Sequence, residues 1–214
     1  DTPLMSPDHL SRTAAQILPA AVPWPAARSL WQARIDRIAQ KFVAGEAARR
    51  TVAAPIAMEK RAQGLLKWGD IGFDLTARAD RIDGTENGDV LVYDYKTGTP
   101  PSAKEQATFD KQLLIEAAMI EQGAFESIGA RTVKDAVFLG LGSDLKEGHA
   151  PLDKEPPAAV LANLRELIEA YLDPEQGVSS RRMMQKDDFA GDYDLLARFG
   201  EWDATDDVVP EVLT

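Results

Sequence analysis

The chain has 214 residues, 44% hydrophobic and 28% charged, with a formal charge of −11 and no cysteine. This is enough apolar material for a real core, and the missing cysteines exclude disulfides and thiolate metal sites outright. No apolar run approaches the roughly 18 residues of a membrane-spanning helix, no signal peptide opens the chain, and the acidic balance excludes a generic basic nucleic-acid coat; a cytoplasmic protein fits.

The first 28 residues are rich in Ala and Pro, with a short helix expected near "LSRTAAQIL". From Ser29 to about Arg50, Leu30, Trp31, Ile35, Ile38, Phe42 and Val43 recur at helical spacing, which predicts a long amphipathic helix. "PIAMEKRAQGLLKWG" reads as a strand followed by a turn or second strand. From Phe73 the period becomes two, with Phe73, Leu75, Ala77 and Ala79 on one face and Asp74, Thr76, Arg78 and Asp80 on the other. "DGTENGD" supplies turn chemistry, since Asn87-Gly88 tolerates positive φ, and "VLVYDYK" is the return strand. Residues 73–96 are therefore expected to form one antiparallel hairpin. "TGTPPSAKE" breaks the pattern as a loop. Thr108 is expected to cap a helix that ends at Gly123, and "DAVFLGLG" is a further strand. "PPAAVLANLRELIEAYLDP" aligns Val160, Leu161, Leu164, Leu167, Ile168, Tyr171 and Leu172 on one helical stripe, and a shorter helix is expected near "DYDLLARF". The order predicts a mixed α/β domain with helices around one small sheet.

Asp94 and Lys96 stand two apart on a strand, so both emerge from one face. Asp80, on the preceding strand, can come alongside. Two neighbouring carboxylates repel unless a cation lies between them, and Mg²⁺ is a hard ion that takes oxygen ligands. A phosphodiester is the natural substrate, because the ion can bind its oxygen, stabilise developing charge and lower the pKa of an attacking water. Lys96 adds positive charge near the scissile phosphate. Spacing alone leaves an alternative open: a salt-bridge cluster on an exposed sheet face.

"TARADRID", then "LVYDYKTGTPP", then "FDKQLLIEAAM" together resemble the RecB-type nuclease domain of the PD-(D/E)XK superfamily. The likeness is strongest to the C-terminal nuclease domain of AddB-type subunits, and "GDYDLLARFGEW" resembles tails of the alphaproteobacterial kind. The resemblance implies a restriction-endonuclease-like core over residues 29–202, an extension or linker at 1–28 and a tail at 203–214. It implies a nuclease dependent on Mg²⁺ or Mn²⁺, acting on single-stranded DNA ends fed by a motor, alongside an AddA-type helicase–nuclease subunit in double-strand break repair. By motif position, Asp80 and Asp94 would bind the metal with the backbone carbonyl of Tyr95. Lys96 would be the catalytic lysine, and Gln112 would face the site to contact DNA or a water of the metal. Arg78 shares the face of Asp80 and pairs either with it or with a phosphate. Glu59 is a further candidate acidic ligand, with solvent exposure as the alternative. Lys104, Lys111, Arg181, Arg182 and Lys186 are candidates for a local approach path for DNA.

Two departures matter. The family's upstream "GT-hydrophobic-x-H" motif is absent, and His9 and His149 read as surface residues. Because the chain starts at Asp1, it is expected to be a fragment beginning after that motif, with weak metal binding and poor cleavage alone. Without cysteine it contributes nothing to an iron–sulfur cluster. The competing expectations are a catalytically silent scaffold or DNA-binding module with the same fold, and a stand-alone RecB-like exonuclease.

Overall fold

The computed structural model describes residues 6–177, 192–203, 205–207 and 209, which fall in two compact units, 1–161 and 162–214. The first unit opens with α1 (Pro7–Ala21) and α2 (Pro25–Arg50). Each has proline in its first turn, where the lost N–H costs no helical bond, and Ser6 caps α1 by accepting from His9 N–H. The N-terminal helix is thus longer than the short one expected. It lies along α2, with Gln32 Nε2 donating to Ser11 O at 3.1 Å.

Next come β1 (Ala54–Met58), a 3₁₀ turn at Glu59–Arg61, β2 (Gln63–Trp68), β3 (Phe73–Arg78), β4 (Arg81–Gly84) and β5 (Val90–Lys96). After α3 (Ala103–Thr108) and α4 (Gln112–Glu121), β6 (Val133–Gly140) and β7 (Glu147–His149) complete the sheet, and α5 (Pro157–Leu172) follows. The main sheet runs β1-β4-β5-β6-β7, with β5 and β6 parallel and every other pairing antiparallel. A parallel pair needs a long crossover, and the segment holding α3 and α4 supplies it. The result is a mixed sheet flanked by helices, as the sequence predicts.

The single hairpin expected over 73–96 is not formed. β3 pairs with β2 in a separate two-stranded sheet, and the hairpin of the main sheet is β4–β5. The division falls at Ala79-Asp80. Ala79 is fully buried and its N–H bonds Ala62 O, in line with the β2–β3 register, while Asp80 O accepts from Glu59 N–H, in line with the β1–β4 register, so the chain changes sheets between the two residues. The Asn87-Gly88 turn does form, with Gly88 at φ 87.

The predicted helix start at Thr108 is also displaced. Ser102 heads α3 in a reciprocal capping box with Glu105, Thr108 is the last residue of that helix, and α4 begins at Gln112. Gly123 ends α4 as expected, at φ 73. Leu113, Leu114, Ala117, Met119 and Ile120 of α4 pack on Ile82, Val90, Val92, Ala136 and Phe138 of the sheet. Each such buried large side chain contributes roughly 1.5–3 kcal/mol. On the opposite face of the sheet, Tyr93, Val137 and Leu139 cluster with Leu91 and Tyr95, and Phe42 of α2 meets the Tyr95 ring at 6.3 Å.

Of the predicted α5 stripe, Val160 and Leu161 are buried, whereas Leu167, Tyr171 and Leu172 are exposed. In the second unit, residues 192–200 form successive turns rather than the predicted helix. Arg198 at φ 51 and Gly200 at φ 93 adopt left-handed conformations that a helix cannot propagate through.

Candidate active site

Alternation along β5 sends Tyr93 and Tyr95 to the α2 face and Val92, Asp94 and Lys96 to the α4 face. There, Lys96 Nζ lies 2.9 Å from Asp94 Oδ2 and donates to Gln112 Oε1 at 2.9 Å. Gln112, first residue of α4, donates its amide Nε2 to Asp94 Oδ1 at 2.7 Å and to Glu116 Oε1, one turn on, at 3.1 Å. A lysine can only donate, so its contact with Oε1 dictates that the amide nitrogen faces both carboxylates. Lys96 also stands over the Phe138 ring, 5.2 Å from its centroid.

Asp80 is on the bend between β3 and β4 rather than on a strand. Its Oδ2 accepts from Tyr95 N–H at 2.9 Å, which ties it to the backbone beside Asp94. The Tyr95 side chain points to the other face, where its hydroxyl accepts from Arg81 at 3.2 Å. Asp94, Lys96 and Gln112 thus meet directly, while Asp80 joins them through the backbone of Tyr95. Glu59 does not lie on a strand; it begins the 3₁₀ turn at φ 46 and pairs with Arg78 at 3.8 Å, both side chains exposed. Arg78 therefore pairs with Glu59 instead of Asp80. Lys111 is held by both oxygens of Glu155, at 2.8 and 2.6 Å. Lys104 is exposed on α3, and Arg181, Arg182 and Lys186 lie outside the described residues. His149 lies on edge strand β7 with its side chain exposed and Nδ1 2.9 Å from Asp135; His9 lies on α1.

Two residue sets escaped the sequence reading. Glu116 is 4% exposed, and burial, reinforced by the charges of Asp94 and Asp80, pushes its pKa to about 7 against the opposing pull of Gln112 and Lys96. The available signal was its position four residues after Gln112, one turn along the same helix face. The other set is a buried ion network on the α2 face: Arg81 bonds Asp83 through two nitrogens, at 2.6 and 2.5 Å, and Glu46 at 2.6 Å. Burial disfavours the Glu46 charge, but Arg81 and Arg50 outweigh it and hold the carboxyl below its usual range. For Asp83, burial wins over Arg81 and its pKa is raised.

The donor set can be tested for its fit to a divalent cation. Asp94 Oδ2 has only the charge contact with Lys96, without a directed hydrogen bond, and Glu116 Oε2 has no hydrogen-bond partner; both atoms are buried. Unsatisfied carboxylate oxygens in a dry site suit a hard cation. Among the described residues no group of three acidic, His or Cys side chains is gathered tightly enough to cage a metal as it stands. The Gln112 amide stands between Asp94 and Glu116.

A family model described as the PD-(D/E)XK nuclease superfamily matches residues 5–190. The chain belongs to that superfamily. The match covers the whole first unit apart from its first four residues, including every side chain of the candidate site. This PD-(D/E)XK chain is also similar to uncharacterized proteins of Rickettsia. It is 27% identical over 114 residues to one of Rickettsia felis and 30% identical over 101 residues to one of Rickettsia conorii. The matches take in 53% and 46% of the chain but only 13% and 12% of those relatives' own length. The family is that of a nuclease-type enzyme, and among the described residues no helix is long and apolar enough to cross a membrane.

Proposed function

We propose that this domain is a Mg²⁺- or Mn²⁺-dependent deoxyribonuclease, acting as an exonuclease within a larger helicase–nuclease protein of double-strand break repair. The observation that carries the nuclease reading is the convergence of Asp94 and Lys96 from β5 with Gln112 from α4, beside the backbone-anchored Asp80. Asp80, Asp94 and the Tyr95 carbonyl would hold the ion. When bound, it supplies positive charge against a phosphate oxygen and polarises the attacking water. Lys96, restrained by Asp94, Gln112 and the Phe138 ring, keeps its ammonium in one position, where it offsets charge building on the phosphate and orients the water. Gln112 sets the orientation of both Asp94 and Lys96.

An open cleft of about 610 Å³, lined by Lys60, Arg61, Arg78 and Gln63 among others, supports DNA as substrate. Its lining begins one residue after Glu59, whose N–H bonds Asp80 O at 3.0 Å, and includes one acid, Glu126. On a chain of charge −11, this local basic lining is what a phosphate backbone would track. A larger protein is supported by the small share of the relatives that the chain covers; the AddA-type partner rests on the motif resemblance alone. One observation favours a second reading, a silent scaffold or DNA-binding module: no ready-made trio of metal-binding side chains among the described residues.

End-labelled single-stranded DNA with Mg²⁺ or Mn²⁺ separates the two. Asp94→Asn and Lys96→Met are expected to lower cleavage by about 100-fold or more while keeping the wild-type melting profile. Equal cleavage by wild type and both variants would assign the activity to a contaminant and remove the site.

A further inference from the structure

The buried acids of the first unit are treated unequally. Glu46 has three arginines on it, Asp83 has Arg81, and Asp94 has Lys96. Glu116 is as buried as Asp94, at 4% exposure, yet among the described residues its hydrogen bond comes from the neutral Gln112 amide and its Oε2 has no hydrogen-bond partner. Lys96 acts on this acid only through space, bonded to Asp94 and Gln112 instead. Retaining an ionisable group in a dry position without a directly paired cation costs several kcal/mol unless the group is neutralised or a cation arrives from elsewhere. The same amide nitrogen reaches Asp94 Oδ1 at 2.7 Å and Glu116 Oε1 at 3.1 Å, so a single point serves both carboxylates. A cation at that point would meet both acids once the Gln112 amide rotated aside.

We propose that Glu116 is a third carboxylate of the metal centre, an oxygen ligand alongside Asp94 on the α4 side of the sheet. This rests on the nuclease reading of Asp80 and Asp94, and extends it to a residue outside the Asp-x-Lys pattern. A third carboxylate strengthens the local negative field and raises affinity for a divalent ion, as ligand charge count does in oxygen-ligated sites generally. It also gives Gln112 a defined task, to bridge the two acids until a cation replaces its amide.

The test is Mn²⁺ binding to the 214-residue chain, followed by electron paramagnetic resonance, with water-proton relaxation to count waters on the bound ion. Wild type, Glu116→Gln and Asp94→Asn are compared, with thermal melting as the check on folding. Glu116→Gln is expected to weaken Mn²⁺ binding by roughly tenfold or more, the scale on which even outer partners of a metal site act, and to leave more water on the bound ion. Wild-type affinity in Glu116→Gln with lost affinity in Asp94→Asn overturns the Glu116 assignment and leaves the nuclease site standing. Weaker binding with unchanged hydration also overturns it, because Glu116 would then only position Gln112. Wild-type binding by Asp94→Asn removes the underlying nuclease reading together with this one, and no binding by wild type overturns the three-carboxylate centre. If Glu116→Gln does not melt cooperatively, Glu116→Leu, which deletes the buried charge at similar volume, is read by the same criteria.

Discussion

Gln112 is the residue on which the site's geometry turns, because it accepts from Lys96 while donating to Asp94 and Glu116. Asp80, Asp94 and Lys96 were visible in the sequence as polar residues interrupting apolar strands. Glu116 was not, since "QLLIEAAM" reads as an apolar helix with one stray acid until the structure shows its burial. That burial has a pH signature. The pKa of Glu116 rises from 4.5 to about 7, so its contribution to stability is complete below the unfolded value and is lost as pH climbs through the folded one. Glu116→Gln is neutral throughout and escapes that loss. In EDTA, its stability relative to wild type should grow between about pH 5 and about pH 8, by a quantity on the order of 3 kcal/mol. A difference that stays constant over this range, measured by denaturant unfolding, would show that charging Glu116 carries no such cost.

The elements around the site were legible to different degrees. β5, the turn at Asn87-Gly88 and β6 follow from alternation and turn chemistry. The break between β3 and β4 does not, because "FDLTARADRID" keeps its two-residue period straight through Asp80. Only pairing with β2 on one side and β5 on the other divides it, and the division leaves Asp80 free to bond the Tyr95 N–H. Just after this bend, Arg81 anchors β4 to α2 through Glu46, with Asp83 fully buried beside it. Arg81→Leu should destabilise the chain by about 3–5 kcal/mol by stranding the buried Asp83 carboxylate, while Glu46 keeps Arg49 and Arg50. Replacing Glu46, Arg81 and Asp83 together with apolar residues of similar size should recover most of that loss. A small effect of Arg81→Leu in chemical denaturation would mean that the network is not desolvated as the structure places it.

Over the whole chain, the charge of −11 sets the terms for contact with a polyanion. Lys60 and Arg61 line the open cleft, so their combined reversal to Glu should raise KM for single-stranded DNA roughly tenfold and leave kcat unchanged. The salt dependence of binding should become shallower by about 0.7 for each phosphate contact removed. An unchanged KM and salt slope would move the DNA path elsewhere. Composition and periodicity were sufficient for the mixed α/β class, and the Asp-x-Lys spacing for putting an acid and a lysine on one strand face, because both are written in short-range patterns. The choice between a salt-bridge cluster and a nuclease centre came from the motif resemblance. Which acids share a buried space, where Asp80 leaves its strand and which cations border the cleft depended on contacts between segments far apart in the chain. No local pattern encodes those. Glu116 meets Asp94 only because α4 crosses back over β5, and Glu59 N–H reaches Asp80 O only because the 3₁₀ turn folds against the bend.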